Sequence, residues 1–445
     1  MDPARDGTYF PHWTMRREGV IAADERLPMP QTVALGLQHV VAMFGATVLA
    51  PLLMGFDPNV AILFSGIGTL IFFLLVGGRV PSYLGSSFAF IAVVIAATGY
   101  AGSGPNANLA VALGGIVFAG IVYAIIGLVV MGVGYGWIDR LMPPVVTGSV
   151  VAVIGLNLAP IAVKGISGSA LDTWIGIATI VLVGLVAVRA PGLARRLPIL
   201  LGGIGGYVLY AFCANALGLG KPIDFSRVAA AAWIGLPHLA FPVWNAHAIG
   251  LIAPVAVVLV AENLGHIKAV AAMTGQNLDR YLGRAFLGDG LATIVAGAGG
   301  GTGVTTYAEN IGVMAVTKVY STLLFVVAAL VAIVLGFSPK FGALIQTIPG
   351  AVLGGLSIAV FGLITATGGR IWVQKRVDFS RARNLVTAAV TLTIGAGDLA
   401  LSFGGITLGG IGTATFGAIL LYQLFRESGP TVEEASLAEN RAANV

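Results

Sequence analysis

The chain has 445 residues, of which 57% are hydrophobic and only 10% are charged. Water-soluble globular proteins carry about 25% charged residues, so this composition excludes an ordinary soluble domain and predicts a multi-pass membrane protein. The formal net charge of +5 does not indicate a nucleic-acid partner, because most basic residues fall in loops that we predict to lie on one side of a membrane.

Apolar runs predict fourteen membrane spans after a polar tail at residues 1–30, which lacks the short apolar region of a signal peptide. We place the spans near residues 31–54, 60–77, 85–98, 107–133, 143–163, 173–188, 197–218, 247–270, 283–298, 304–317, 320–336, 343–365, 383–397 and 404–425. Residues 427–445 are polar and acidic, and we expect a disordered tail there. The predicted fold class is an all-α polytopic membrane protein.

The basic residues support an even number of spans. With the N-terminus in the cytoplasm, the outside loops contain only four of the 24 Lys and Arg residues, namely Lys164, Lys221, Arg227 and Lys340. An excess of Lys and Arg in cytoplasmic loops is typical of membrane proteins. The asymmetry therefore predicts that both termini are cytoplasmic.

The third and tenth spans are short, and each begins with residues that form helix poorly. Residues 81–88 open one span and residues 299–307 open the other, and both stretches are rich in Gly, Ser or Thr. Such composition predicts a brief extended segment followed by a half-helix. Irregular backbone at membrane depth is tolerated only where protein or a cavity surrounds it, so we expect both stretches at a binding site.

Spacing between similar stretches predicts two inverted repeats of seven spans each. Gly66, Gly68, Gly77 and Gly78 recur 222 residues later as Gly288, Gly290, Gly299 and Gly300. Pro143 and Gly148 of the fifth span correspond to Pro349 and Gly354 of the twelfth. An odd number of spans per repeat would invert the second repeat relative to the first.

Two carboxylates, Glu262 and Glu309, lie inside apolar stretches. A charge within the membrane costs a few kcal/mol or more, so such residues usually have a function. One interpretation is a structural ion pair, although no Lys or Arg lies deep in an apolar run to act as the partner. The other interpretation is a substrate site coupled to protons.

The expected chemistry of that site fits a planar ring with both C=O and N–H groups, such as uracil. Two half-helix N-termini, near Phe88 and Ala308, would offer backbone N–H donors to carbonyl oxygens. Carboxylates would accept hydrogen bonds from ligand N–H groups. Phe88 and Tyr307 could stack on the ring or bond its rim, or could simply fill space.

Histidines could couple this site to protons. His266 follows Glu262 by four residues, so both lie on one helix face, where they could exchange a proton near neutral pH. His39, after Gln38, could support the site or serve only as an interhelical hydrogen-bond partner. For Asp289 we expect a local ion pair with Arg284.

A spaced motif resembles the signature of the nucleobase–ascorbate transporter family. The motif is Glu309-Asn310-x-Gly312-x4-Thr317-Lys318, and the Gln38-His39 pair and Ala261-Glu262-Asn263-x-Gly265-His266 match as well. The similarity runs from about residue 31 to residue 426, and it is strongest to the bacterial uracil and pyrimidine permeases.

This resemblance implies proton symport of uracil, with thymine and related pyrimidines, across the bacterial cytoplasmic membrane by alternating access. It implies a core domain at residues 31–133 and 246–338 and a gate domain at residues 134–245 and 339–426. The implied substrate-binding residues are Glu262, Glu309, Phe88, Tyr307 and Ala308, the proton-coupling residues are His266 and Glu262, and the supporting residues are Gln38, His39, Ser87 and Asn310. No cofactor or metal is implied beyond the proton gradient, and a homodimer through gate helices is implied by analogy.

Three rival functions remain open from the sequence. A xanthine or urate permease would belong to the same family, and an anion transporter could use the same scaffold. Two buried acids would repel an anion, which argues against the second rival. An intramembrane enzyme is disfavoured because the sequence has neither a His-Glu-x-x-His nor a Gly-x-Ser-x-Gly motif.

Overall fold

Long apolar runs form helices in this chain because only bonds within a segment can satisfy the backbone inside a bilayer. The computed structural model describes residues 8–102, 104–192, 194–403 and 406–425. The predicted disordered tail at residues 427–445 lies outside the described residues.

Helices account for most of the described chain. They are α1 (Met29–Met54), α2 (Pro58–Leu75), α3 (Phe90–Thr98), α4 (Leu109–Val133), α5 (Gly136–Leu141), α6 (Pro144–Ile166), α7 (Ala170–Arg189), α8 (Pro198–Ala211), α9 (Ser226–Ala230), α10 (Ala246–Ile252), α11 (Val255–Thr274), α12 (Leu282–Gly299), α13 (Ala308–Thr317), α14 (Leu323–Gly336), α15 (Pro339–Ile345), α16 (Gly350–Gln374), α17 (Ala382–Ala396) and α18 (Gly410–Leu424). A π-helical turn, Phe212–Ala216, continues α8.

The described residues also form two short 3₁₀ turns, Ala194–Arg196 and Asp279–Tyr281, and three two-stranded pairs. A parallel pair joins β1 (Thr14–Met15) to β2 (Glu25–Arg26). Antiparallel pairs join β3 (Leu84–Ser86) to β4 (Val304–Thr306) and β5 (Leu401–Phe403) to β6 (Ile406–Leu408). The predicted extended stretches of the third and tenth spans are thus observed as β3 and β4.

The prediction of a helical, multi-pass membrane protein is confirmed in its general form. Each of the fourteen predicted segments contains a helix within the described residues. Eight helices there are long and apolar enough to cross a membrane, or nine if α14 and α15, which meet at 87°, form one span. The count of fourteen spans and their arrangement as inverted repeats remain predictions.

Several predicted boundaries were wrong because proline and glycine divide the apolar runs. The predicted span 343–365 covers parts of two helices. Helix α15 begins at Pro339 and ends at Ile345, and Pro349 caps α16, which runs from Gly350 to Gln374. The predicted span 404–425 begins with part of the β5–β6 hairpin, and its helix begins only at Gly410.

Glycine allows the central helices to touch through their backbones. A Cβ atom on Gly155 of α6 would lie 2.2 Å from the carbonyl oxygen of Phe361 in α16. A Cβ on Gly127 of α4 would lie 2.4 Å from the backbone nitrogen of Leu287 in α12. Because lipid offers no hydrophobic drive between helices, close contact of this kind is a main source of their association.

The helices pack as two groups. The core group comprises α1–α4 and α10–α14, and the gate group comprises α6–α8 and α16–α18. Within each group the pairing is reciprocal: α2 packs on α14 as α12 packs on α4, and α6 packs on α17 as α16 packs on α7. This exchange of partners is what two structurally related halves would produce.

The described part of the N-terminal segment lies against the core group. The Trp13 indole donates a hydrogen bond of 3.0 Å to the Thr322 hydroxyl, and its ring stacks on Phe73 of α2. Ile21 pairs with Val319 through a parallel bridge. These contacts join the end of α2 to the connection between α13 and α14.

Candidate functional site

The site is built on the β3–β4 pair, where the two halves of the core group meet. Leu84 pairs with Thr306 and Ser86 with Val304. Two further backbone bonds extend the ladder: the Ser87 N–H donates to the Gly303 carbonyl at 2.9 Å, and the Tyr307 N–H donates to the Tyr83 carbonyl at 3.0 Å. Each strand therefore satisfies the backbone of the other inside the membrane.

Tyr307 belongs to this scaffold. Its hydroxyl donates to the Ser86 carbonyl at 2.9 Å and accepts from the Thr47 hydroxyl at 3.2 Å. A Cβ on Gly85 would lie 2.5 Å from the Tyr307 ring, and the tyrosine is only 3% exposed. This placement favours the interpretation in which Tyr307 fills space, because its ring, hydroxyl and N–H are already engaged.

Two half-helices begin directly after the strands. Helix α3 begins at Phe90 and α13 begins at Ala308, which is exposed. The first N–H groups of a helix have no acceptor within the helix, so they can act as donors. At α3 the Phe90 and Ile91 N–H groups already donate to the Ser87 and Phe88 carbonyls, so the start of α13 is the better source of donors. Phe88 is half-buried and lies edge-on to Phe361 of the gate group, with ring centroids 6.0 Å apart.

The structure brings Glu262 and Glu309 together. Glu262 lies on α11 and Glu309 lies on α13, and these two helices pack against each other. The Ser87 side chain lies near Glu262. Oε2 of Glu262 is inaccessible and has no hydrogen-bond partner in the described chain. Glu309 lies in the first turn of α13, where the helix dipole favours a negative charge.

The alternative of a structural ion pair at these acids finds no support. The ion pairs found in the described part of the chain are Arg16–Glu25, Lys268–Asp279 and Asp378–Arg381. None of them includes Glu262 or Glu309. An unpaired buried acid retains its capacity to accept a hydrogen bond from a ligand.

His266 contacts the strand instead of Glu262. Its Nδ1 lies 2.9 Å from the Thr306 hydroxyl, which in turn lies 3.4 Å from Oδ1 of Asn263. No direct bond between His266 and Glu262 is found among the described residues. The shared helix face predicted for the two residues therefore leads to a hydrogen-bonded chain rather than to a contact pair.

The expected ion pair between Asp289 and Arg284 is wrong. Asp289 is fully buried, and its Oδ2 accepts a hydrogen bond of 2.5 Å from Asn263 Nδ2. Its Oδ1 has no partner within the described chain. The Arg284 guanidinium lies over the Tyr9 ring instead. Asp289 points inward because α12 packs on α2 and α4.

Asn263 and Tyr123 are site residues that the sequence analysis missed. Asn263 Nδ2 donates to the Tyr123 hydroxyl at 2.9 Å, and that hydroxyl donates to the Leu259 carbonyl at 3.2 Å. The available signal was the position of Asn263 between Glu262 and His266 in the matched motif. Nothing in the sequence around Tyr123 distinguishes it from a packing residue.

The supporting residues mainly hold α13 in place. Asn310 Nδ2 lies 3.0 Å from His39 Nδ1 and donates to the His39 carbonyl at 3.0 Å, which ties α13 to α1. His39 is 1% exposed and packs on Phe325, so the structure favours its role as an interhelical partner. Gln38 is half-buried on the same helix, and Ser87 is buried beside β3.

The arrangement places hydrogen-bond donors and acceptors close together around the start of α13. The start of α13 can supply donors, and the two glutamates can supply acceptors. Within the described ranges, no group of three or more His, Cys, Asp or Glu side chains could hold a metal ion.

Comparison with known proteins agrees with the family that the motifs indicated. The model of the Permease family Xan_ur_permease matches residues 30–403. The chain is 65% identical to the putative pyrimidine permease RutG of Escherichia coli (strain K12) over 419 residues, which are 93% of this chain and 95% of that protein. It is 42% identical to the uracil permease of Paenibacillus larvae over 422 residues, or 92% and 97% of the two chains.

A solved structure shares the fold. The murine Solute Carrier 26 family member A9 anion transporter, in its inward-facing state, matches with a TM-score of 0.66 at 12% identity. The match covers 89% of this chain and 68% of that one. At this identity the likeness concerns the architecture alone.

Proposed function

Because this chain belongs to the Permease family, we propose that it is a nucleobase transporter that imports uracil, with thymine and related pyrimidines, by proton symport. Its relatives are permeases and not enzymes. The bacterial cytoplasmic membrane, with both termini inside, is the location that fits the charge asymmetry of the loops.

One observation carries the choice of ligand: Glu262 on α11 and Glu309 in the first turn of α13 lie on two helices that pack against each other. Uracil presents N–H groups and C=O groups in the plane of one ring. The carboxylates would accept from the ring N–H groups, and the free N–H groups of α13 would donate to a ring carbonyl. The Phe88 ring would pack against the ligand at the boundary with the gate group.

The proton would enter the same network. Glu262 has an unpartnered oxygen, and a hydrogen-bonded chain leads from His266 through Thr306 and Asn263 to Asp289. Protonation of a buried acid removes the free-energy cost of its buried charge. Binding of a neutral ring, which buries the acid further, is therefore linked to protonation. Symport follows if only the protonated, loaded site can move.

Alternating access would arise from movement of the core group against the gate group. The reciprocal packing within each group supports treating each as a unit. Fewer helix pairs join the two groups, and the Phe88–Phe361 contact is one of the links between them. The site would then open to one side of the membrane at a time.

A xanthine or urate permease is the rival within the family, and an anion transporter is the rival on the fold. The fold alone does not decide between a nucleobase and an anion as the substrate, because an anion transporter has the same architecture. The glutamate pair opposes bicarbonate or any other anion by charge repulsion. The identity to pyrimidine and uracil permeases favours pyrimidines over purines.

Uptake of radiolabelled uracil into proteoliposomes tests this function. Uptake is expected to rise with an inward proton gradient, and unlabelled uracil or thymine should compete while xanthine, urate and bicarbonate should not. Glu309→Ala should abolish uptake, and Glu18→Ala, at an exposed glutamate, should leave it unchanged. Uptake that ignores a protonophore would refute symport and spare the substrate, whereas competition by xanthine alone would refute the pyrimidine assignment.

A further inference from the structure

Residues 231–244, which we name the outer belt, connect α9 to α10 without forming helix or strand. Its backbone is bonded to the ends of three core-group helices. Gly235 N–H donates to the Phe337 carbonyl at 2.9 Å, and Val243 N–H donates to the Ala110 carbonyl at 2.8 Å. Ala240 N–H reaches the carbonyl at the end of α12 at 3.4 Å. The belt thus follows the rim of the core group.

The backbone of the outer belt packs directly against glycines of the core group. A Cβ on Gly114 of α4 would lie 2.3 Å from the Val243 carbonyl oxygen. A Cβ on Gly300, whose φ is +98°, would lie 2.7 Å from the Ala240 nitrogen. The path of the belt is therefore fixed by close contact, and the direction of its side chains is fixed with it.

The outer belt turns large apolar side chains away from the protein. Five of them are between 61% and 84% exposed. They are Trp233, Ile234, Leu236, Phe241 and Trp244. Contiguous exposed apolar groups on a rigid backbone indicate an interaction surface, because leaving them in water forgoes their burial energy.

The level of the belt and the charges beside it identify the partner. It is bonded to the ends of α4, α12 and α14 that the charge distribution places outside, so it lies where those helices leave the hydrocarbon region. Tryptophan concentrates at that boundary because its ring is apolar and its N–H is polar. The Lys340 Nζ lies 5.3 Å from the Trp233 ring centroid, and it donates to the Val228 and Ala229 carbonyls at 2.9 and 3.3 Å. Arg227, in the preceding α9, is exposed.

We propose that the outer belt inserts its apolar side chains into the headgroup boundary of the outer phospholipid leaflet, with the exposed Arg227 facing lipid phosphates. This assignment depends on the membrane location of the chain and not on its substrate. It anchors the core group, which carries the acid pair, at a fixed depth, because the belt is bonded to that group. An apolar protein partner would not need a cation at the same level, whereas lipid phosphates would attract Arg227.

Depth-dependent fluorescence quenching tests the proposal. The chain has six tryptophans, and a variant that keeps only Trp233, with the others changed to Phe, would be placed in vesicles of brominated phosphatidylcholine. Bromine near the headgroup should quench Trp233 several-fold more than bromine near the acyl end, and aqueous acrylamide should quench it weakly. A variant that keeps only Trp13 is the matched control, since that residue bonds Thr322 on the opposite side.

Two outcomes would overturn the proposal. Strong quenching by acrylamide without quenching by lipid would place the belt in water. Protection from both quenchers that is lost on dilution of the protein in lipid would place a second copy on the belt. A spin label provides a second measurement of the depth of the belt if the tryptophan variants fail to fold. It would be attached to Ile234→Cys in a Cys213→Ser background. Its accessibility to oxygen relative to a water-soluble nickel complex should exceed that of Lys221→Cys several-fold, and equal ratios would refute the anchor.

Discussion

The Tyr307 hydroxyl lies 2.9 Å from the Ser86 carbonyl oxygen, so a side chain as well as the backbone ladder joins the two extended segments. Thr302 adds a hydroxyl bond of 2.6 Å to the Ser86 side chain. The half-helices α3 and α13 begin within a few residues of these bonds. Their positions relative to each other are therefore set by the strand pair.

Gly85→Ala should disrupt this junction. The new methyl would lie 2.5 Å from the Tyr307 ring and 2.6 Å from the Thr47 hydroxyl, and overpacking of this kind costs about 1–3 kcal/mol. We expect a lower unfolding temperature in detergent and at least about tenfold less uracil uptake. Gly417→Ala is the matched control, because nothing lies within 4 Å of its Cβ position. An unchanged unfolding temperature for Gly85→Ala would contradict the packing described.

Glu262→Gln should reduce uracil uptake by about 10- to 100-fold, because a hydrogen bond to a charged group contributes about 1.5–3 kcal/mol. Ser87→Ala should have a smaller effect, of about fivefold, since it removes one neutral hydroxyl near Glu262. Initial uptake rates over a range of uracil concentrations would measure both. Equal losses in the two variants would argue that Ser87, and not the carboxylate, dominates binding.

Asp289→Asn tests whether the buried network carries protons. In the wild type, Asn263 Nδ2 donates to Asp289 at 2.5 Å. The amide side chain of the variant would occupy the same position, but it cannot take up a proton as the carboxylate can. We expect uptake that no longer responds to a proton gradient, while facilitated exchange of uracil persists. Tyr123→Phe is the control, because it removes a hydrogen bond to Asn263 and leaves the carboxylate. A purely structural role would lower stability in both variants and leave the gradient response intact.

The Lys268–Asp279 pair should make stability depend on pH. Partial burial opposes ionisation of Asp279, but hydrogen bonds from Lys268 at 2.6 Å and Tyr135 at 2.6 Å outweigh it and lower the pKa of the carboxyl. A lowered pKa in the folded state gives stabilisation that is complete above the unfolded pKa of about 4 and is lost as pH falls through the folded value.

Thermal unfolding of the wild type and Asp279→Asn between about pH 3 and pH 7 measures this effect. The difference in stability should be largest near pH 7, about 1 kcal/mol or less because the pair is partly exposed, and should shrink as the pH falls. The same difference at every pH would show that the charge of Asp279 contributes nothing.

Part of the site could be predicted from the sequence because membrane burial makes it conspicuous. Glu262 and Glu309 are visible as charges in apolar runs, and the Gly-rich starts of the short spans predicted β3 and β4. The roles of Tyr307 and Asp289 could not be predicted. Each depends on partners more than twenty residues away, Ser86 for one and Asn263 for the other.

The membrane class, the family and the two acids could be recognised from the amino-acid sequence, because hydrophobic run length and local motifs are properties of neighbouring residues. The tertiary structure alone decided which helices form each group, which polar side chains are satisfied and which residues face outward. Those outcomes depend on contacts between distant segments, such as a carbonyl packed against a glycine or a hydrogen bond from an amide to a carboxylate. The outer belt is an example. From the sequence its apolar residues would be predicted to be buried, but the backbone of Val243 and Ala240 is bonded to the core group and the large apolar side chains of the belt are exposed.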